Sequence, residues 1–143
     1  MVRFGETHGH LPAAAIQDRE GRPLLSWRVA ILPFIDQKDL YEEFRLDESW
    51  DSPHNAKLVE RMPDVFASPA KPAEKSGETR YLAPVGPGTI FAARATPWSL
   101  EEISANDGTF ATILLVEAAA DKAVPWTKPA DLAIDEQDLK PTR

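Results

Sequence analysis

Apolar residues first recur at helical spacing between residues 26 and 35. Trp27, Ala30, Ile31, Phe34 and Ile35 fall at i, i+3, i+4, i+7 and i+8, and Ser26 precedes them as an N-cap. Pro33 interrupts the stripe, because its ring excludes a continuous helix, so the pattern predicts a kink or two short helices. Asp36 is placed to cap the second, with Leu40, Tyr41 and Phe44 as its apolar face. Ser52 as N-cap, Pro53 at the first helical position and the spaced Leu58, Val59 and Met62 predict a third helix over 53–62, closed by Pro63.

Strand patterns come later in the chain. Val65-Phe66-Ala67 predicts a short strand, and Arg80 to Val85 an edge strand, since Pro84 cannot donate to a ladder. Phe110 to Glu117 is apolar at both odd and even positions, which predicts a central strand covered on both faces, entered by the turn Asn106-Asp107-Gly108. Residues 68–78 read as a solvated loop, and the acidic stretch from Ala130 runs into a tail predicted to fray. Helices first and strands afterwards is an α+β order. Thirteen prolines keep the elements short and exclude long bundles and coiled coils.

Length fits a single globular domain over 1–143, with 1–9 and 136–143 frayed. A formal charge of −7 supplies no positive footprint, so nucleic acid is excluded as a partner. The longest aliphatic run, Ile113-Leu114-Leu115-Val116, is far short of the ~20 residues that cross a bilayer, so membrane insertion by these residues is not expected. Met1 opens onto polar residues and glycine, unlike a signal peptide. Cysteine is absent, which removes disulfides, thiolate metal sites and cysteine nucleophiles together.

Candidate chemistry is sparse. His8-Gly9-His10 could present two imidazoles to a metal, but a third ligand would have to come from far away, and a solvated loop is the stronger reading. His54 is read as a polar surface residue of a first helical turn. The acidic run Asp36, Asp39, Glu42, Glu43, Asp47, Glu48 and Asp51 lacks the spacing of a calcium loop and reads as a solvated face. Gly86-Pro87-Gly88-Thr89 has no lysine to make it a phosphate loop, and is read as a tight turn. No serine lies in a nucleophile elbow; Ser26, Ser52 and Ser99 are better explained as caps. No catalytic residue, metal site or cofactor is assigned.

Trp27 lies on an apolar stripe and is read as core, whereas Trp50 and Trp126 sit close to Pro53 and Pro125 as loop anchors. Two charges stand out: Arg28 within an apolar helix, and Glu117 at the end of a strand expected to be buried. Isolated buried charge is too costly to persist, so each should have a partner or reach solvent at the element's end, and the two could be partners of each other.

Several strings resemble the planctomycete domain of unknown function 1559, a prepilin-like family, over about residues 7–139. They include His10-Leu11-Pro12-Ala13-Ala14, Leu25-Ser26-Trp27-Arg28-Val29 and Leu46-Asp47-Glu48-Ser49-Trp50-Asp51-Ser52-Pro53-His54-Asn55. Val85-Gly86-Pro87-Gly88-Thr89, Asp107-Gly108-Thr109, Leu115-Val116-Glu117-Ala118 and Val124-Pro125-Trp126-Thr127-Lys128-Pro129 follow in order. The resemblance implies a pilin-like head, with short N-terminal helices followed by a small antiparallel sheet. It also implies export to the periplasm or cell surface, and a structural or interaction role with protein partners or self-association. Residues 1–143 lack the family's N-terminal hydrophobic helix and closing His-x9-Asp-Gly motif, and Phe66-Ala67-Ser68-Pro69 stands where many members carry a cysteine. Loss of the long helix would uncover one face of the 110–117 strand, which predicts self-association through that face or its edge. The competing expectation is a small-molecule or glycan-binding domain built on exposed tryptophans beside the acidic run. A hydrolase is third, with no constellation to support it.

Overall fold

A β-hairpin precedes the helices, which the hydrophobic pattern does not announce. In a computed structural model that describes residues 12–67, 77–85, 99, 101 and 116–133, β1 (Ala15–Gln17) pairs antiparallel with β2 (Pro23–Ser26), Ile16 opposite Leu25. Asp18 makes the turn. Its carboxylate accepts the amides of Glu20 and Arg22, both at 2.9 Å, and Gly21 supplies the left-handed residue with φ 84°.

Ser26 ends the hairpin and starts the first helix, α1 (Trp27–Ala30), its Oγ accepting the Arg28 amide at 3.1 Å. Pro33 falls in a separate 3-10 turn, Leu32–Phe34, so the stripe does split in two. The next helix, α2 (Lys38–Glu43), buries Leu40 as expected, and Phe44 follows it into the core. Asp36 does not cap it. Asp36 sits in the left-handed region, φ 61°, and Gln37 stands at the cap position without a side-chain bond.

The predicted 53–62 helix is a 3-10 helix over Asn55–Arg61, shorter at its start because the chain is still turning at Pro53 and His54. Ser52 keeps its expected role in substance, its Oγ accepting the Asn55 amide at 3.1 Å. Val65-Phe66-Ala67 is not a strand. Asp64–Phe66 is a further 3-10 turn that points Phe66 inward and leaves Val65 exposed.

Among the described residues the remaining strands form three two-stranded ladders. β3 (Glu78–Thr79) pairs with β7 (Val124–Pro125) and β4 (Tyr81–Leu82) with β6 (Val116–Glu117), both antiparallel. The expected α+β class with small antiparallel pairings holds, except that β5 (Pro84–Val85) pairs with β8 (Leu132–Ala133) in parallel. The predicted 80–85 strand breaks at Ala83, whose amide is taken by the Asp131 carboxylate at 2.9 Å. Of the predicted 110–117 strand only Val116–Glu117 lies within the described residues, and there Glu117 is exposed. The proposed self-association face, with Ile113 and Leu115, lies outside them.

The core joins these short pieces. Trp27, Leu25, Val29, Leu32 and Trp126 are at most 1% exposed, and Phe66 links the two indoles. Phe66 stacks on Trp126 at 5.8 Å and meets Trp27 edge-on at 6.4 Å, while Phe44 meets Trp126 edge-on at 5.7 Å. Each such side chain contributes on the order of 1.5–3 kcal/mol of burial, which is how elements this short are held.

Candidate functional site

The densest polar constellation among the described residues surrounds Arg28, whose side chain is wholly buried beside that of Asp131. Its guanidinium carries five N–H donors. Nε donates to the Tyr81 carbonyl at 3.3 Å; Nη1 donates to Ser26 Oγ at 3.0 Å and the Trp126 carbonyl at 3.4 Å. Nη2 donates to the Tyr81 carbonyl at 3.0 Å and to Asp131 Oδ1 at 2.9 Å. Five donors therefore meet five acceptor contacts, and the guanidinium also lies over the Trp27 ring at 4.9 Å.

Asp131 Oδ1 is equally engaged, accepting Arg28 Nη2, the Ala83 amide at 2.9 Å and Trp27 Nε1 at 3.2 Å. Burial pushes the Asp131 carboxyl above its ordinary value, opposed by the charge of Arg28 and by the amide of Ala83. The same burial lowers Arg28, opposed by Asp131. Chemically this is a clip between the first helix, β4–β5 and the residue that precedes β8. It leaves Arg28 no unused donor to offer a substrate.

Arg28 and Glu117 each have a partner, as expected, but they are not partners of each other. Glu117 instead lies 3.8 Å from Arg80, whose Nε donates to the Ala118 carbonyl at 2.7 Å. Nothing local marks Asp131 as this partner, because it is one of several acidic residues in the stretch from Ala130. The signal that could have found it is the unmatched positive charge of Arg28 in an apolar helix.

The string around Trp50 builds a second hub, on Asn55, which is wholly buried. Asn55 Oδ1 accepts the Arg45 amide at 3.0 Å, and Nδ2 donates to the carbonyls of Arg45, Glu48 and Ser49 at 2.9, 3.2 and 3.1 Å. One amide side chain thus fixes the loop over 45–49. Asp51 accepts from Ser49 Oγ at 2.6 Å, and His54 Nε2 donates to the Glu43 carbonyl at 2.6 Å. Pro53 is exposed between them. The acidic run is partly neutralised by Lys38–Glu42, Arg45–Glu48 and Arg61–Glu43 pairs. No cluster of three or more His, Asp or Glu suited to a metal occurs among the described residues.

Trp126 is buried, its Nε1 donating to the Val59 carbonyl and its amide to the Gly77 carbonyl, both at 2.9 Å. That burial removes it, with Trp27, from any exposed aromatic platform. Trp50 is half-buried under Lys128, whose Nζ lies 5.7 Å from the ring. Trp98, His8, His10, Gly86, Gly88, Asp107 and Gly108 lie outside the described residues.

The strings that build these hubs lie within a family match. Residues 1–141 match a family model described as a protein of unknown function (DUF1559). The chain belongs to this family. No curated protein and no solved structure matches it significantly. Placed on the structure, the DUF1559 strings are anchoring elements: Trp27 and Arg28 in the core clip, Ser52 and Asn55 in the loop clamp, Trp126 across the centre. No helix among the described residues is long and apolar enough to cross a membrane.

Proposed function

We propose that this DUF1559 chain is the pilin-like globular head of an exported protein, and that it serves as a structural or interaction module without catalytic activity. One observation carries the reading: the buried ionisable pair, Arg28 and Asp131, is satisfied by the protein itself, with every guanidinium donor bonded. Active sites keep perturbed groups with capacity to engage a substrate, whereas this pair joins three segments of backbone. The family strings support the same view, since Asn55 bonds to main chain of the loop over 45–49, and Trp126 and Ser52 to main chain of the 3-10 helix Asn55–Arg61. Export and the pilin-like architecture rest on the sequence resemblance.

Cell fractionation with an antibody raised against the domain tests the reading. Protein at the surface or in the periplasm, cross-linking to other envelope proteins, is expected; a cytoplasmic pool alone would overturn it. Turnover of generic ester, glycoside or phosphate substrates that a point substitution abolishes would overturn the non-catalytic part.

A further inference from the structure

An open groove of about 670 Å³ runs between the β1–β2 hairpin and the loop at Leu46-Asp47. That volume lies within the range of small-molecule sites, roughly 300–1,000 Å³. Its apolar lining is Ile16, Leu24 and Leu46, one from each of three segments. Both walls are fixed by side chains that bond to backbone. On one side Asp18 holds the hairpin turn through the Glu20 and Arg22 amides; on the other Asn55 holds the loop over 45–49. The Trp50 amide, donating to the Leu24 carbonyl at 2.8 Å, ties the two walls together. A groove fixed in this way loses little conformational freedom on binding.

The charges on its lining are unequal in their engagement. Asp18 and Arg22 are spent on each other, at 2.7 Å, and Arg22 also holds Glu20 at 2.9 Å. Arg19 on the hairpin wall and Asp47 on the loop wall are both exposed, and neither has an ion pair among the described residues. Among the described residues the groove therefore offers one unpaired cation, Arg19, one unpaired anion, Asp47, and an apolar floor. We infer that it binds a small zwitterion with an aliphatic body, of the chemical class of a free branched-chain amino acid. The ligand carboxylate would face Arg19, its ammonium Asp47, and its side chain Ile16, Leu24 and Leu46. This goes beyond the structural role proposed above and stands or falls separately from it.

Titration of the whole chain with L-leucine, followed by amide and methyl NMR shifts, tests the inference. Saturable shifts at Ile16, Arg19, Leu24, Leu46 and Asp47 are expected. Arg19→Ala and Asp47→Ala, at exposed positions that leave the fold intact, should each weaken binding about fivefold, the most that one exposed charge contact supplies. Isovalerate should lose its dependence on Asp47 and isopentylamine its dependence on Arg19. Absence of saturable shifts at the groove, or binding unchanged by both substitutions, would overturn the proposal.

Discussion

Removing Asp131 should cost more than removing Asp131 and Arg28 together. Asp131→Ala strips Arg28 Nη2, Trp27 Nε1 and the Ala83 amide of a shared acceptor, and leaves a guanidinium whose side chain is 0% exposed without its counter-charge. Breaking a buried pair from one side costs about 3–5 kcal/mol, because the surviving charge stays desolvated. Arg28→Met alone should cost a similar amount, as it abandons Asp131 together with Ser26 Oγ and the Tyr81 and Trp126 carbonyls. In Arg28→Met/Asp131→Leu no buried charge is left, and apolar volume replaces both groups. The loss should then fall to roughly 2 kcal/mol, set by the orphaned backbone groups. Urea unfolding followed by tryptophan fluorescence reads this directly, since Trp27 and Trp126 are 1% and 0% exposed. Each single variant should lower the midpoint at unchanged slope, and lower the melting temperature by roughly 10–20 °C. Salt is a second control: the pair is buried, so its coupling should persist at about 1 M salt, where surface pairs are screened. A coupling energy below about 0.5 kcal/mol, or one that salt removes, would refute the reasoning.

Other outcomes follow from single contacts. Gly77→Ala should cost about 2 kcal/mol or more in the same urea assay, because φ is 81° and a Cβ would lie 2.6 Å from the Val59 carbonyl oxygen. Thr127→Val should be neutral or stabilising by about 1 kcal/mol, since Thr127 Oγ1 is buried without a hydrogen-bond partner among the described residues; a clear loss of stability would disprove this. Ser52→Ala should cost about 1 kcal/mol and Asn55→Ala about twice that or more, the latter freeing the loop over 45–49 in hydrogen exchange. The Arg22 amide, aided by the Arg22 side chain and the Glu20 amide, holds the Asp18 carboxyl below its ordinary value of 3.8 against the opposing effect of desolvation. Its stabilising contribution is therefore present above the ordinary value and lost as pH falls through the lowered one. An NMR titration should show this, and Arg22→Ala should restore it only in part, because the amide remains.

The sequence specifies on its own those elements whose signals are local. Ser26 caps the first helix, Pro33 divides the stripe after it, and Ser52 caps the segment that buries Leu58, because a cap or a proline acts within a few residues of its own position. It also determined the family, through strings dense in tryptophan, proline and polar caps. The β1–β2 hairpin escaped notice because its strands are three and four residues long, too short for a period to register. Phe66 turned from a predicted strand to a 3-10 turn because stacking on Trp126 outweighs the β propensity of three residues. Arg28 announced that a partner must exist, but only tertiary structure could say which of the chain's acidic residues it was. The pairing energy belongs to desolvation at one point in space, and Asp131 reaches that point from an acidic stretch more than a hundred residues along the chain. The groove is likewise a tertiary product, since Arg19 and Asp47 line it from walls that the Trp50–Leu24 contact ties together.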